Sequence, residues 1–348
     1  MTHAGQQQAG VGQADHGEAP DPREPVWRRL VPVVALALLA PWAAECSWGG
    51  FAGTDMLLVV VVLAPMYGGA AILIREAARR TGGGWPMIVL LALGFGVLQA
   101  GLVDQSLFNP DFLADTEFAE LSAADQTRIP LLGISAQEAA SFLGNHLALT
   151  ICAPIAIVES YLSPARRLRP WLQAPGLVVV GVLYVLGSLL VFADDSGRKG
   201  FLASPGQLVG AATVVLALIV LAALPRWRRR PAPGPGVDAP RPVLTGGLAL
   251  VSYVGVSMLS GWIAFAVTVI VGAGLMAVLI RWSGRAGWGQ THVLSTVAGA
   301  LIGAAILAYL VPPYTAASPG EALFSDVLVS VIAVVLLGGA YARLHRRR

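Results

Sequence analysis

Ten stretches of this chain, at 30–45, 55–74, 85–103, 138–161, 175–193, 205–224, 243–260, 261–280, 292–311 and 323–341, are almost wholly apolar. Each is close to the roughly 20 residues that carry a helix across about 30 Å of hydrocarbon. In that solvent a segment must pair its own backbone groups, so these stretches are expected to be helices. The fold class that follows is all-α, a polytopic membrane helix bundle of about ten transmembrane helices. Charge usage agrees, with 12% of residues charged and 56% hydrophobic, against about 25% charged in a soluble domain. The split between the seventh and eighth stretches rests on length. As a single helix, residues 243–280 would extend ~57 Å, far beyond the hydrocarbon thickness. Two helices turning at Ser260-Gly261 fit instead.

Arginine placement orients the bundle. With a cytoplasmic N-terminus, the inner segments hold 20 of the 23 basic residues, leaving Arg128, Arg198 and Lys199 outside. The bias follows the positive-inside rule at each loop, so both termini are expected in the cytoplasm. Lys199 is the only lysine, and alanine and glycine are abundant; this usage suggests a GC-rich bacterial genome, hence a bacterial plasma membrane. Because the arginines flank apolar stretches, nucleic acid is excluded as a partner and membrane lipid is the expected one.

Four regions follow. Residues 1–25, rich in Gln, Gly and Pro, are too polar to bury a core and are expected to be a disordered cytoplasmic tail. Residues 26–224 form a six-span membrane region. Residues 225–242 are a cytoplasmic linker stiffened by proline and held near anionic lipid by arginine. Residues 243–348 form a four-span region with a basic tail. Arg28 and Arg29 ahead of the first stretch resemble the start of a secretory signal. However, Glu45 stands where cleavage before Cys46 needs a small residue, and a retained span is expected. The outer loop 104–137 carries Asp104, Asp111, Asp115, Glu117, Glu120 and Asp125 against Arg128, and Ser122 to Asp125 has the pattern of a helix start. Ten spans also permit two inverted five-helix halves, although no repeated sequence marks them.

Ionisable groups within a span are costly and count as functional candidates. Glu45, Asp55, Asp104, Glu138 and Asp326 fall at outer ends, and Glu76 and Glu159 at inner ends beside arginines, where pairing accounts for them. His146 lies deeper, ~12 Å into its span, next to Asn145 and one turn from Thr150. Gln99 lies ~21 Å up the preceding span. If these two spans are neighbours, as consecutive helices usually are, Gln99 and His146 reach similar depth and are placed to hydrogen-bond. Interhelical hydrogen bonding explains such residues as well as a ligand site does. Gly68, Gly69, Gly94, Gly96 and Gly101 allow close helix approach. Pro65 and Pro154 lie within spans, where each frees a backbone carbonyl through a kink or for cation contact.

The segment Phe142-Leu-Gly-Asn-His146, preceded by amide and acid near the top of the span before it, resembles the CAAX-protease and bacteriocin-processing (CPBP) intramembrane endopeptidases. That family pairs two glutamates with an arginine beyond them, then Phe with His, then His with Asp or Asn, and the acid and histidines activate a water. The first motif would fall on Gln99, Ala100 and Asp104, so both glutamates and the arginine are missing, and the third has only His292 with Thr296. An amide cannot serve as general base. The resemblance, over about 60 residues, therefore implies a fold relative without the chemistry, and no catalytic residue is assigned. Nucleotide-cradling, nucleophile-elbow and zinc-ligand motifs are absent. Cys46 and Cys152 read as small hydrophobes, and no metal or cofactor is expected.

Three functions remain. The first is a transport or permease protein with an outward-opening polar site between spans three and four. There Gln99, Asn145 and His146 line the site, Asp104, Gln105, Ser106 and Asn109 form its mouth, and the acidic loop attracts a small solute or cation. The second is a catalytically degenerate intramembrane-protease relative. The third is a structural subunit whose outer loop binds another membrane subunit.

Overall fold

The computed structural model describes residues 25–119, 124–228 and 236–346. Nearly all of the expected tail 1–25, the helix start at Ser122 and the middle of the linker lie outside the described residues. Ten apolar helices run through the rest: α1 (Val26–Cys46), α2 (Thr54–Arg80), α3 (Trp85–Val103), α4 (Ala136–Tyr161), α5 (Ala174–Phe192), α6 (Pro205–Ala223), α7 (Pro242–Ser257), α8 (Gly261–Ser283), α9 (Gln290–Ala308) and α10 (Pro319–His345). Among the described residues, nine are long and apolar enough to cross a membrane. Helix α7 has 16 residues, ~24 Å of rise, and falls short. The sequence extended that stretch to Ser260, but the chain turns at 258–260 and restarts at Gly261, whose φ of +70° suits a residue without Cβ.

Helices α3, α4 and α9 form the centre, while α5 and α8 are almost wholly exposed. Apolar side chains on their outer faces, such as Val178, Leu186, Ile263 and Ile270, suit lipid rather than water. Polar ties join the two halves of the chain. Gln290 Nε2 on α9 donates to Ala156 O on α4 at 3.1 Å, and the Tyr161 hydroxyl donates to Leu336 O on α10 at 2.8 Å. In the loop 104–137 the structure adds a hairpin, β1 (Arg128–Ile129) with β2 (Ile134–Ser135), that the sequence reading lacked.

Glycine sets the closest crossings. At Gly68 an added Cβ would lie 2.4 Å from Ala37 O of α1, and at Gly96 it would press on Leu143 and His146 of α4. The α7–α9 pair depends on Gly299 and Gly303, four apart on α9, where Cβ atoms would meet Gly246 O at 2.2 Å and the Tyr253 ring at 3.0 Å. This is a small-residue interface of the kind that joins helices in lipid. Gly299→Leu is expected to push α7 from α9 and cost about 1–3 kcal/mol or more. Gly274→Leu, on α8 where a Cβ meets nothing within 4 Å, should leave the thermal midpoint in detergent nearly unchanged.

One end of the bundle is held by buried charge. Arg75 and Arg79 of α2 meet Glu159 of α4, and Glu76 of α2 pairs with Arg75, all four nearly inaccessible to solvent. Glu159 Oε1 accepts from Arg75 Nε at 3.2 Å and Arg79 Nε at 2.9 Å, and its Oε2 from Arg79 Nη2 at 2.7 Å. Glu76 Oε1 accepts from Arg75 Nη1 at 2.7 Å and from Trp171 N at 2.8 Å. The Trp171 ring lies 3.6 Å from the Arg75 guanidinium carbon. Pairing with arginine thus accounts for both inner-end glutamates.

Candidate functional site

The polar side chains of the other end come from four places where a helix widens into a π-turn. These are Trp42–Cys46 of α1, Ala64–Gly68 of α2, Gln99–Val103 of α3 and His146–Cys152 of α4. Pro41 adjoins the first, Pro65 lies within the second and Pro154 stands two residues past the last. A proline has no N–H to give and crowds the carbonyl four residues back, so a wider turn relieves both. The third contains Gly101. Each π-turn puts a polar or aromatic group into the same region: Glu45 from α1, Tyr67 from α2, Gln99 from α3, and His146 with Thr150 from α4.

Contacts tie these groups together. The Tyr67 hydroxyl donates to Glu45 Oε1 at 2.8 Å. The rings of Tyr67, Phe95 and His146 form a triangle with centroids 5.6 to 6.1 Å apart. Asp104 stands within electrostatic reach of Tyr67 and accepts from Gln99 Nε2 at 3.2 Å. Asn145 Nδ2 donates to Ala44 O at 3.2 Å, tying α4 to the π-turn of α1. His146 Nδ1 and Thr150 Oγ1 are 3.2 Å apart, and no hydrogen bond engages His146 Nε2 among the described residues. Two buried amide oxygens, Gln99 Oε1 and Asn145 Oδ1, accept no hydrogen bond among the described residues. A buried acceptor left unmatched costs about 1–3 kcal/mol, so both are positioned for a donor or a cation.

Helices α3 and α4 do pack together, as the reading of Gln99 and His146 requires, but the expected bond between the two is not made. His146 sits beside Gly96 and Phe95, one turn below Gln99, and Gln99 turns to Asp104 instead. The residues expected at the mouth, Asp104, Gln105, Ser106 and Asn109, are all buried. Asp104 Oδ1 accepts from Ser106 N at 2.9 Å, and Asn109 Oδ1 from Asp111 N at 3.0 Å. Gln105 takes a left-handed backbone, φ 57°, and its Oε1 accepts from Ala203 N at 2.7 Å. The reason is that a chain leaving the hydrocarbon must satisfy its own backbone donors. Asp104 therefore joins the cluster, whereas Gln105, Ser106 and Asn109 fold the loop that holds it.

An aromatic cap covers the cluster. Tyr314 lies 5.3 Å from Trp48, 5.2 Å from Phe118 and 5.3 Å from Phe51, measured between ring centroids. Backbone bonds hold the three segments in place, Tyr314 N to Gly50 O at 2.8 Å and Glu117 N to Tyr314 O at 3.2 Å. Sequence reasoning missed Glu45 and Tyr67 as site residues and missed this cap. The prolines beside the π-turns were the available sign for the first two. Among the described residues no cluster of three His, Cys, Asp or Glu is arranged to hold a metal ion. Comparison with protein families, with curated proteins and with solved structures gave no match.

Proposed function

We propose that this chain is a multi-pass membrane protein of permease type whose site, for a small cation or cationic solute, is the buried cluster between α1, α2, α3 and α4. The observation that carries the reading is the pair of unmatched buried amide oxygens, Gln99 Oε1 and Asn145 Oδ1, in a region that also holds two carboxylates. Oxygen acceptors, the carboxylates of Glu45 and Asp104 and the faces of Tyr67 and Phe95 are the groups that attract a cation in a low-dielectric setting. The acidic loop above, with Asp111, Asp115 and Glu117, would raise the local cation concentration. π-Turns of this kind are frequent at functional sites.

The same reading counts ten spans, with α7 as a short one, and puts both termini in the cytoplasm of a bacterial plasma membrane. Support comes from the arginine distribution and from contacts at one end of the bundle, where Arg75 meets the backbone of Arg167 and Gly84 meets Trp227. Cysteine labelling tests the site. Gln99→Cys and His146→Cys proteins should react with an impermeant thiol reagent added outside, above the level of the parent chain, whose Cys46 and Cys152 are buried. Failure of both to label would remove the water path that the reading needs.

The degenerate-protease reading keeps one observation in its favour, the packing of His146 against α3 one turn below Gln99. Peptide cleavage by the purified protein, lost in His146→Ala, would place it ahead.

A further inference from the structure

Helix α8 begins tightly held, with Gly261 N donating to Gln137 Oε1 of α4 at 2.7 Å. From Thr268 to Ser283 it lines a cavity of about 410 Å³ whose other walls belong to α3, α4, α7 and α9. The lining is apolar, as at Leu147, Tyr253, Leu275 and Val297. That length of α8 rises ~22 Å, enough to take an acyl chain from one leaflet of a hydrocarbon layer about 30 Å thick.

The end of the cavity toward the arginines is built differently. Trp85, Trp227 and Trp288 close it, the residue type that favours the level of lipid headgroups. Both ends of the segment 225–242 are pinned there. Gly84 N donates to Trp227 O at 3.1 Å beside the start of α3, and Ala239 N donates to Ala286 O at 2.7 Å just past the end of α8. Arg226 and Arg228 flank Trp227, and Arg281 and Arg285 lie two residues to either side of Ser283; both Trp227 and Ser283 line the cavity. Among the described residues none of these four meets a carboxylate.

We propose that this cavity is a binding site for an acyl chain of an anionic phospholipid from the arginine-bearing leaflet, with the headgroup held by Arg226, Arg228, Arg281 and Arg285. Apolar walls select the chain, and unpaired guanidinium groups at the polar end select a negative headgroup. The cavity reaches Leu147, Ala148 and Cys152 of α4, in the same π-turn as His146 and Thr150 of the cation cluster. Its headgroup end, however, is at the arginine end of the bundle, and the lipid proposal does not rest on the cation reading.

The test uses the full chain in nanodiscs of mixed phosphatidylglycerol and phosphatidylcholine, with native mass spectrometry to count the lipid retained after release. The expected result is one retained phosphatidylglycerol in preference to phosphatidylcholine. Arg281→Gln with Arg285→Gln should weaken that retention about thirtyfold and bring the two lipids level. Gly272→Leu should abolish retention with the helical spectrum unchanged, because Gly272 lines the cavity and its added Cβ would meet nothing within 4 Å. Equal retention of the two lipids by the parent protein, or undiminished retention by Gly272→Leu, overturns the proposal.

Discussion

Glu159→Ala is expected to destabilise the protein by about 3–5 kcal/mol, the range for removing one partner of a buried ion pair. Two guanidinium groups depend on this carboxylate, Arg75 through Nε and Arg79 through Nε and Nη2. Both are almost completely buried. Without Glu159, Arg79 keeps, among the described residues, a long contact to Gly83 O at 3.4 Å, and two positive charges face each other with Glu76 left to offset them. The fork between Arg79 and Glu159 is bidentate, the stronger geometry for such a pair. Removing Arg79 along with Glu159, as Arg79→Met with Glu159→Met, should recover much of the loss, since apolar groups of similar volume often replace a buried pair without cost. Thermal midpoints of the purified proteins in detergent measure both effects. A single variant within a degree of the parent would show that water or lipid headgroups already solvate these charges.

The physical reason this network was partly legible is its spacing. Glu76 sits one and four residues from Arg75 and Arg80 on one helix, so its pairing follows from local sequence, whereas Glu159, seven residues before Arg166, finds its partners Arg75 and Arg79 on another helix, which local sequence does not encode. Helix positions were legible for the same kind of reason, because twenty apolar residues leave the chain few alternatives. The turn at Ser260-Gly261 needed only a length argument. The site was much less legible. A π-turn shifts side chains by a fraction of a turn without altering the apolar pattern, so nothing in that pattern singles out Tyr67. Glu45, counted from the end of its apolar stretch, looked interfacial until Tyr67 turned toward it. The cap joins Trp48, Phe118 and Tyr314 from loops far apart in the chain, and no local pattern encodes that meeting. The partner of Gln105 was not legible because a left-handed backbone, unusual for a residue with a Cβ, carries its side chain to Ala203.

The double variant Gln99→Leu with His146→Leu is expected to lower uptake of methylammonium or rubidium into proteoliposomes about hundredfold. The magnitude comes from losing two polar contacts to a charged solute, about 1.5 kcal/mol each at the low end of the range, with 1.4 kcal/mol per factor of ten. Fold should survive the change. Asp104 keeps the Ser106 amide as a donor, and the Thr150 hydroxyl, deprived of His146, can turn to the carbonyl one turn back on its own helix. Leucine matches the apolar surroundings of Phe95 and Leu143, and its packing offsets part of the lost volume of the imidazole. The single variants divide the effect. Gln99→Leu removes an unmatched oxygen together with the donor to Asp104 Oδ2, so the thermal midpoint should stay near the parent's while uptake falls, a combination that a purely structural amide does not produce. Were Gln99 only interhelical glue, its loss would lower the thermal midpoint and leave uptake by the remaining folded protein at the parent level, and the cation site would have to be sought elsewhere.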